Sequence, residues 1–149
     1  MTRSRVLVID ASVTQSAGET DHPVSKACRE FLNDVLTICH HAAVTPELHA
    51  EWKHHRSRFS LGWRSAMAAR RKLDRIVPAP NAELRAYIDR RITNPDDRAA
   101  IEKDLHLVEA ALIADKVIVS RDDKARGLFS LPMLQTLTWI NPTRERLGG

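Results

Sequence analysis

"RVLVID", Arg5–Asp10, decides the fold of this chain. It is a short apolar run that closes on a carboxylate, which predicts a buried strand delivering Asp10 to its end. A loop rich in Ser, Gly, Thr and Asp leads from it to Pro23. Val24, Ala27, Cys28, Phe31, Leu32, Val35, Leu36 and Cys39 then recur at three- and four-residue steps, the pattern of an amphipathic helix opened by that proline. "HAAV", His41–Val44, reads as a second short strand, with Thr45 and Pro46 as the cap and first residue of another helix. Strand, helix, strand predicts a parallel α/β start.

Further along, Lys53 to about Ile92 reads as wholly helical, broken at Ser60-Leu61-Gly62 and at Pro78-Ala79-Pro80. Asn94-Pro95-Asp96-Asp97 opens the next helix: Asn caps, Pro presets φ, and the acids suit the positive helix end. That helix is expected to reach about Ala114. "KVIVS", Lys116–Ser120, is then a third parallel strand, and "LQTLTWI", Leu134–Ile140, the last. No repeat or linker divides the 149 residues, so a single α/β domain, three-layered α/β/α around a mainly parallel sheet, is expected.

Hydrophobic residues at 43% and charged residues at 28% exclude a disordered chain. No apolar run approaches the ~20 residues of a membrane helix and no signal segment opens the sequence, so the cytoplasm is the expected compartment. Cys28 and Cys39 are read in one helix, roughly 16 Å apart along it, too far to bond. Core packing is the reading preferred for both over metal or redox work.

Asp10 and Asp122 each follow an apolar strand, at the sheet edge where open α/β folds bind ligands. On the helix after Asn94, Ile101, Leu105, Val108 and Leu112 form the apolar stripe. At 100° per residue Asp104 falls on that inward face, whereas Glu102, Lys103 and His106 point elsewhere. On the helix opened by Pro46, Leu48, Trp52, His55 and Phe59 form the stripe, and Glu51 holds the same offset from it. Glu51 is preferred to Glu47, which sits in the first turn where an acid is expected anyway. Inward carboxylates are costly unless protonated or bound to a hard cation through oxygen. Mg2+ or Mn2+ is the natural choice, and one or two such ions can activate water for phosphodiester cleavage.

"VLVIDASV", "TPELHAEW", "DLHLVEAALIADKVIVSRDD" and "LTWINP" together resemble a PIN-domain protein, from a family of metal-dependent nucleases that includes RNA-cleaving toxins of toxin–antitoxin pairs. The resemblance covers most of the chain in order and is weakest over Arg56 to Pro95. It implies a parallel sheet flanked by helices, metal-dependent attack by water, RNA as substrate, an antitoxin protein as partner, and often a homodimer. It implies Asp10, Glu51, Asp104 and Asp122 as the acidic set, with Ser12 and Ser120 supporting by hydrogen bonding. For Asp123 two roles stay open, assisting a second metal or capping the following helix.

The chain departs from that pattern in its basic middle. Lys53, Arg56, Arg58, Arg64, Arg70, Arg71, Lys72 and Arg75 are set against Asp74 alone, with Trp52, Phe59 and Trp63 interleaved. Such a run would attract a phosphate backbone, and exposed rings could stack on unpaired bases, although rings packed inside are the blander reading. The pairs His40-His41 and His54-His55 lack a zinc-ligand spacing and are read as structural or RNA-facing. A haloacid-dehalogenase-like enzyme needs a second Asp where Ser12 stands, and a response-regulator receiver needs an acidic pair where Asp10 is single. Two expectations remain: a Mg2+-dependent endoribonuclease, or an RNA-binding module on the same scaffold that turns nothing over. RNA against single-stranded DNA is left open.

Overall fold

The computed structural model describes residues 4–147. Among them five strands form one sheet, β1 (Val6–Ile9), β2 (His41–Val44), β3 (Leu73–Arg75), β4 (Val117–Val119) and β5 (Thr138–Ile140), in the order β3-β2-β1-β4-β5. All four pairings are parallel. The helices are α1 (Ala11–Ser16), α2 (Pro23–Thr37), α3 (Pro46–His54), α4 (Arg58–Ala69), α5 (Ala82–Arg91), α6 (Pro95–Ile113) and α7 (Asp123–Leu128). The chain steps outward from β1 to β3, then returns to lay β4 and β5 on the other side of β1. The two directions put α2 and α4 on one face and α6 and α7 on the other, giving the three-layer α/β/α arrangement. No helix of the described residues is long and apolar enough to cross a membrane.

The core is the sheet's own side chains, Leu7, Val8, Ile9, Ala42, Ala43, Ile118 and Val119, all fully buried between those layers. Both tryptophans of the basic middle belong to it. The Trp52 indole donates to the Ile9 carbonyl at 2.8 Å, the Trp63 indole donates to the Leu32 carbonyl at 2.8 Å, and the rings meet edge-on. Neither is free to stack on a base. Phe59 packs at the edge of the same core.

Three expectations are corrected here. The middle is not wholly helical, because β3 lies in it, paired Ala42 with Leu73 and Val44 with Arg75. A three-residue edge strand carrying Asp and Arg leaves no hydrophobic signature. The helix break falls at His55–Ser57 rather than at Ser60-Leu61-Gly62. Ser57 caps α4, its hydroxyl accepting from the Ser60 amide while the Ser60 hydroxyl accepts from the Ser57 amide, a reciprocal capping box. The same Ser57 hydroxyl lies 2.6 Å from the Ala17 carbonyl and so ties this break to the end of α1. Finally, α2 stops at Thr37, so Cys39 lies beyond it and is exposed; core packing holds for Cys28 alone.

Lys72 explains where α2 stops. Its ammonium, buried, donates to the carbonyls of Val35, Leu36 and Ile38, which the helix end leaves without partners. Lys72 is therefore a helix cap and not a nucleic-acid contact, and Arg70 donates to the Leu36 carbonyl beside it. The histidine pairs are structural in part: His40 Nδ1 accepts from the Arg5 amide, and His41 pairs with Asp74 across β2 and β3.

Candidate active site at the carboxyl edge of the sheet

β1 and β4 are neighbours, with Ile9 opposite Val119, and the Asp10 amide donates to the Val119 carbonyl at 2.8 Å. This is the point where the order of connection reverses, and such a reversal opens a crevice at the carboxyl ends of the two strands. Asp10 and Ser120 are the first residues beyond them. Asp10 Oδ2 accepts from Ser120 Oγ at 2.9 Å and from Ser12 Oγ at 2.8 Å. Each hydroxyl is oriented in turn by a backbone amide, Ser120 by Asp122 and Ser12 by Arg121. The carboxylate is thus fixed through one oxygen, and no hydrogen bond from a described residue reaches the other.

Asp122 is the N-cap of α7, its Oδ1 accepting from the Ala125 amide at 2.9 Å. Here too one oxygen is engaged and one is left over. Asp123 is the first residue of α7 and not its cap. It is gripped by Arg144 through both oxygens, at 2.5 and 2.9 Å, with Asn141 beside it, and these partners hold its carboxyl well below the usual range.

Asp104 projects from α6, 4% exposed, and no hydrogen bond from a described residue reaches its carboxylate. Burial raises its pKa most, the charges of Asp10, Asp122 and Glu51 raise it further against Lys103, and the result is about 6. That list of neighbours is the site: β1, α3, α6 and the turn before α7 each bring one acid within electrostatic reach. Glu47 is exposed in the first turn of α3 and is not among them, which separates it from Glu51.

Sequence reasoning missed His106. Its Nε2 lies 2.5 Å from Glu51 Oε1, a contact of charge whose direction falls short of hydrogen-bond geometry. Burial lowers its pKa, but Glu51, Asp104 and Glu47 outweigh that and hold it above the ordinary histidine value. α6 has more than one inward face: Ile101, Leu105, Leu107, Val108, Ala110 and Ala111 are buried around most of its girth. The near-continuous apolar run from Leu105 to Leu112 was the available signal.

The donor set is all oxygen, and the Asp104 carboxylate has no hydrogen-bond donor from the described residues and is open to a ligand. On that observation the residues suit Mg2+ or Mn2+. Among the described residues, no three Asp, Glu, His or Cys side chains already stand as a closed metal-binding group.

The side chains of Lys53, Arg56, Arg58, Arg64, Arg71 and Arg75 make no ion pair or hydrogen bond among the described residues. Arg85, Arg98, Arg126, Arg144 and Arg146 are all matched to carboxylates. The basic side chains of α3, α4 and β3 thus stand without carboxylate partners, as do Lys26, Arg90, Lys103 and Lys124 elsewhere on the chain. No protein-family model matches the chain, and no curated protein matches it.

Proposed function

We propose that the chain is a metal-dependent endoribonuclease of PIN-like type. The observation that carries this reading is Asp104, a buried acid surrounded by Asp10, Asp122 and Glu51 at the switch point of a parallel sheet. A structural role would pair such a group directly with a cation from the chain; here three of the four charges acting on it are carboxylates, Lys103 being the exception.

In this reading Asp10, Asp104 and Asp122 hold the metal with Glu51 beside them. A bound Mg2+ or Mn2+ would supply an acidified water and charge stabilisation for the leaving oxygen. Ser12 and Ser120 keep Asp10 pointed into the crevice, leaving its second oxygen for a ligand. His106 steadies Glu51. The unpaired cations of α3 and α4 draw in a polyanion that the carboxylates alone would repel.

Purified protein is incubated with mixed RNAs, with Mg2+ or Mn2+ and with chelator, and the cut ends are mapped. Cleavage is expected only with the metal, and Asp10→Asn or Asp104→Asn should abolish it while the fold persists. Full activity in both variants overturns the reading. RNA binding with no metal-dependent cleavage points instead to a binding module that turns nothing over.

A further inference from the structure

A cavity of about 290 Å³ lies between α3, α4 and the ends of β2 and β3. Val44, Leu61 and Leu73 give it an apolar lining with the Trp52 ring, and Arg64, Arg75 and His49 supply its polar groups. A second hollow of about 350 Å³ adjoins it, sharing Val44, His49 and Arg75 and lined further by Thr45, Ile76 and Val77. Val44, Arg75 and Ile76 place the second hollow at the carboxyl ends of β2 and β3, on the edge that carries the acids.

Arg64 is the informative residue. Its Nη1 is buried with no hydrogen-bond partner. A buried charged donor left unmet is expensive, and an anion entering the cavity would meet it. Arg75, exposed at the end of β3, has no carboxylate partner among the described residues and can share that anion. The lining is otherwise apolar, so the group entering with the anion presents an apolar face. At this size the cavity sits at the bottom of the ~300–1,000 Å³ range of ligand pockets and suits one small planar group, not a helix or a folded partner.

We propose that this cavity is a nucleotide subsite for single-stranded RNA, holding a phosphate on Arg64 and Arg75 and the attached base against Val44, Leu61 and Leu73. The substrate class rests on the nuclease reading. The position agrees with it: β3 is two strand spacings from β1, about 10 Å, so a nucleotide held there is close in the chain to a bond cut at Asp10. The Trp52 indole, hydrogen-bonded to the Ile9 carbonyl, ties the cavity wall to the residue before Asp10. A base can enter only if it is unstacked, which selects single strands over duplex.

The test uses the whole chain in chelator, so that binding is read without cleavage. Adenosine and uridine 5′-monophosphates, the matching nucleosides and inorganic phosphate are titrated by calorimetry, and a labelled oligouridylate by anisotropy across a salt series. The monophosphates should bind more tightly than either fragment. Arg64→Gln and Arg75→Gln should each weaken them about tenfold and lower the oligonucleotide salt slope by about 0.7, while Lys26→Gln on α2 changes neither. Arg75 is exposed, so its replacement leaves the fold intact, and Arg64→Lys keeps the charge if Arg64→Gln perturbs packing. Wild-type affinity in both Gln variants, or no monophosphate binding by the wild type, overturns the subsite. Cleavage with Mg2+ is scored separately. A chain that binds through Arg64 and Arg75 yet cuts nothing keeps the subsite and loses the nuclease. A chain that cuts with arginine-independent binding does the reverse.

Discussion

At Asp104 the burial of one carboxyl group links stability, pH and metal. Its pKa rises from 3.8 to about 6 on folding, because burial and three nearby acids oppose its charge. Below pH 3.8 the group is protonated in both states and costs nothing. Between 3.8 and 6 the unfolded chain ionises while the folded one resists, so this group's contribution falls as pH rises. Above pH 6 the loss is complete, about 3 kcal/mol for a shift of two units. In chelator, Asp104→Asn is therefore expected to be more stable than the wild type at pH 7.5 by on the order of 2 kcal/mol, the buried amide taking back part of the gain. The advantage should vanish near pH 3.5. Mg2+ should raise the Tm of the wild type and leave the variant unmoved, since binding to the folded state alone stabilises it. Urea and thermal melts read all three. An Asn variant less stable than the wild type at pH 7.5 would show that Asp104 is held by something other than an absent cation.

Between elements, α5 is fastened to α6 through one buried acid. Glu109 accepts two hydrogen bonds from Arg85, at 2.8 and 3.0 Å, and one from the Asn81 amide at the start of α5. Burial raises its pKa, but Arg85 and Asn81 overcome that and set it below the ordinary glutamate value. Its contribution is present above the unfolded pKa and is lost as pH falls through the folded one. Glu109→Gln should cost about 1–3 kcal/mol at pH 7, with the gap to the wild type narrowing as pH falls below the ordinary glutamate range; an unchanged urea midpoint at pH 7 counts against this fastening. Elements with local signals were legible in the sequence: β1 and β4 by their apolar runs, α6 by Asn94-Pro95, α3 by Thr45-Pro46. β3 was not, because its identity comes from pairing with β2 and not from its own side chains. The reach of Asp10, Asp104 and Asp122 toward one crevice could be argued from strand ends and a helical stripe. Glu109 with Arg85, Glu51 with His106 and Lys72 on the end of α2 could not, since each joins elements whose relative placement no local pattern encodes.

Over the whole molecule, charge is divided between an acidic crevice and a basic flank. The net charge of +4 does not show this arrangement, in which the cations of α3, α4 and β3 form a run without carboxylate partners while Arg85, Arg98, Arg126, Arg144 and Arg146 are matched. A single strand of RNA bound across that flank must release counterions for each phosphate it gives up, and log K then falls with log salt by about 0.7 per contact. Lys53, Arg56 and Arg58 are exposed and do not line the Arg64 cavity, so they act as a rim that attracts without seating a nucleotide. Replacing the three together by Gln should reduce the salt slope by about 2 and slow association, with wild-type Tm and wild-type affinity for a mononucleotide. Mg2+ should act in the opposite sense to KCl: at fixed ionic strength it strengthens binding of an uncleavable RNA analogue by neutralising the crevice, and Asp104→Asn should lose that response. Anisotropy against KCl, with and without Mg2+, separates the two effects. A slope unchanged in the triple variant would place the RNA path away from α3 and α4.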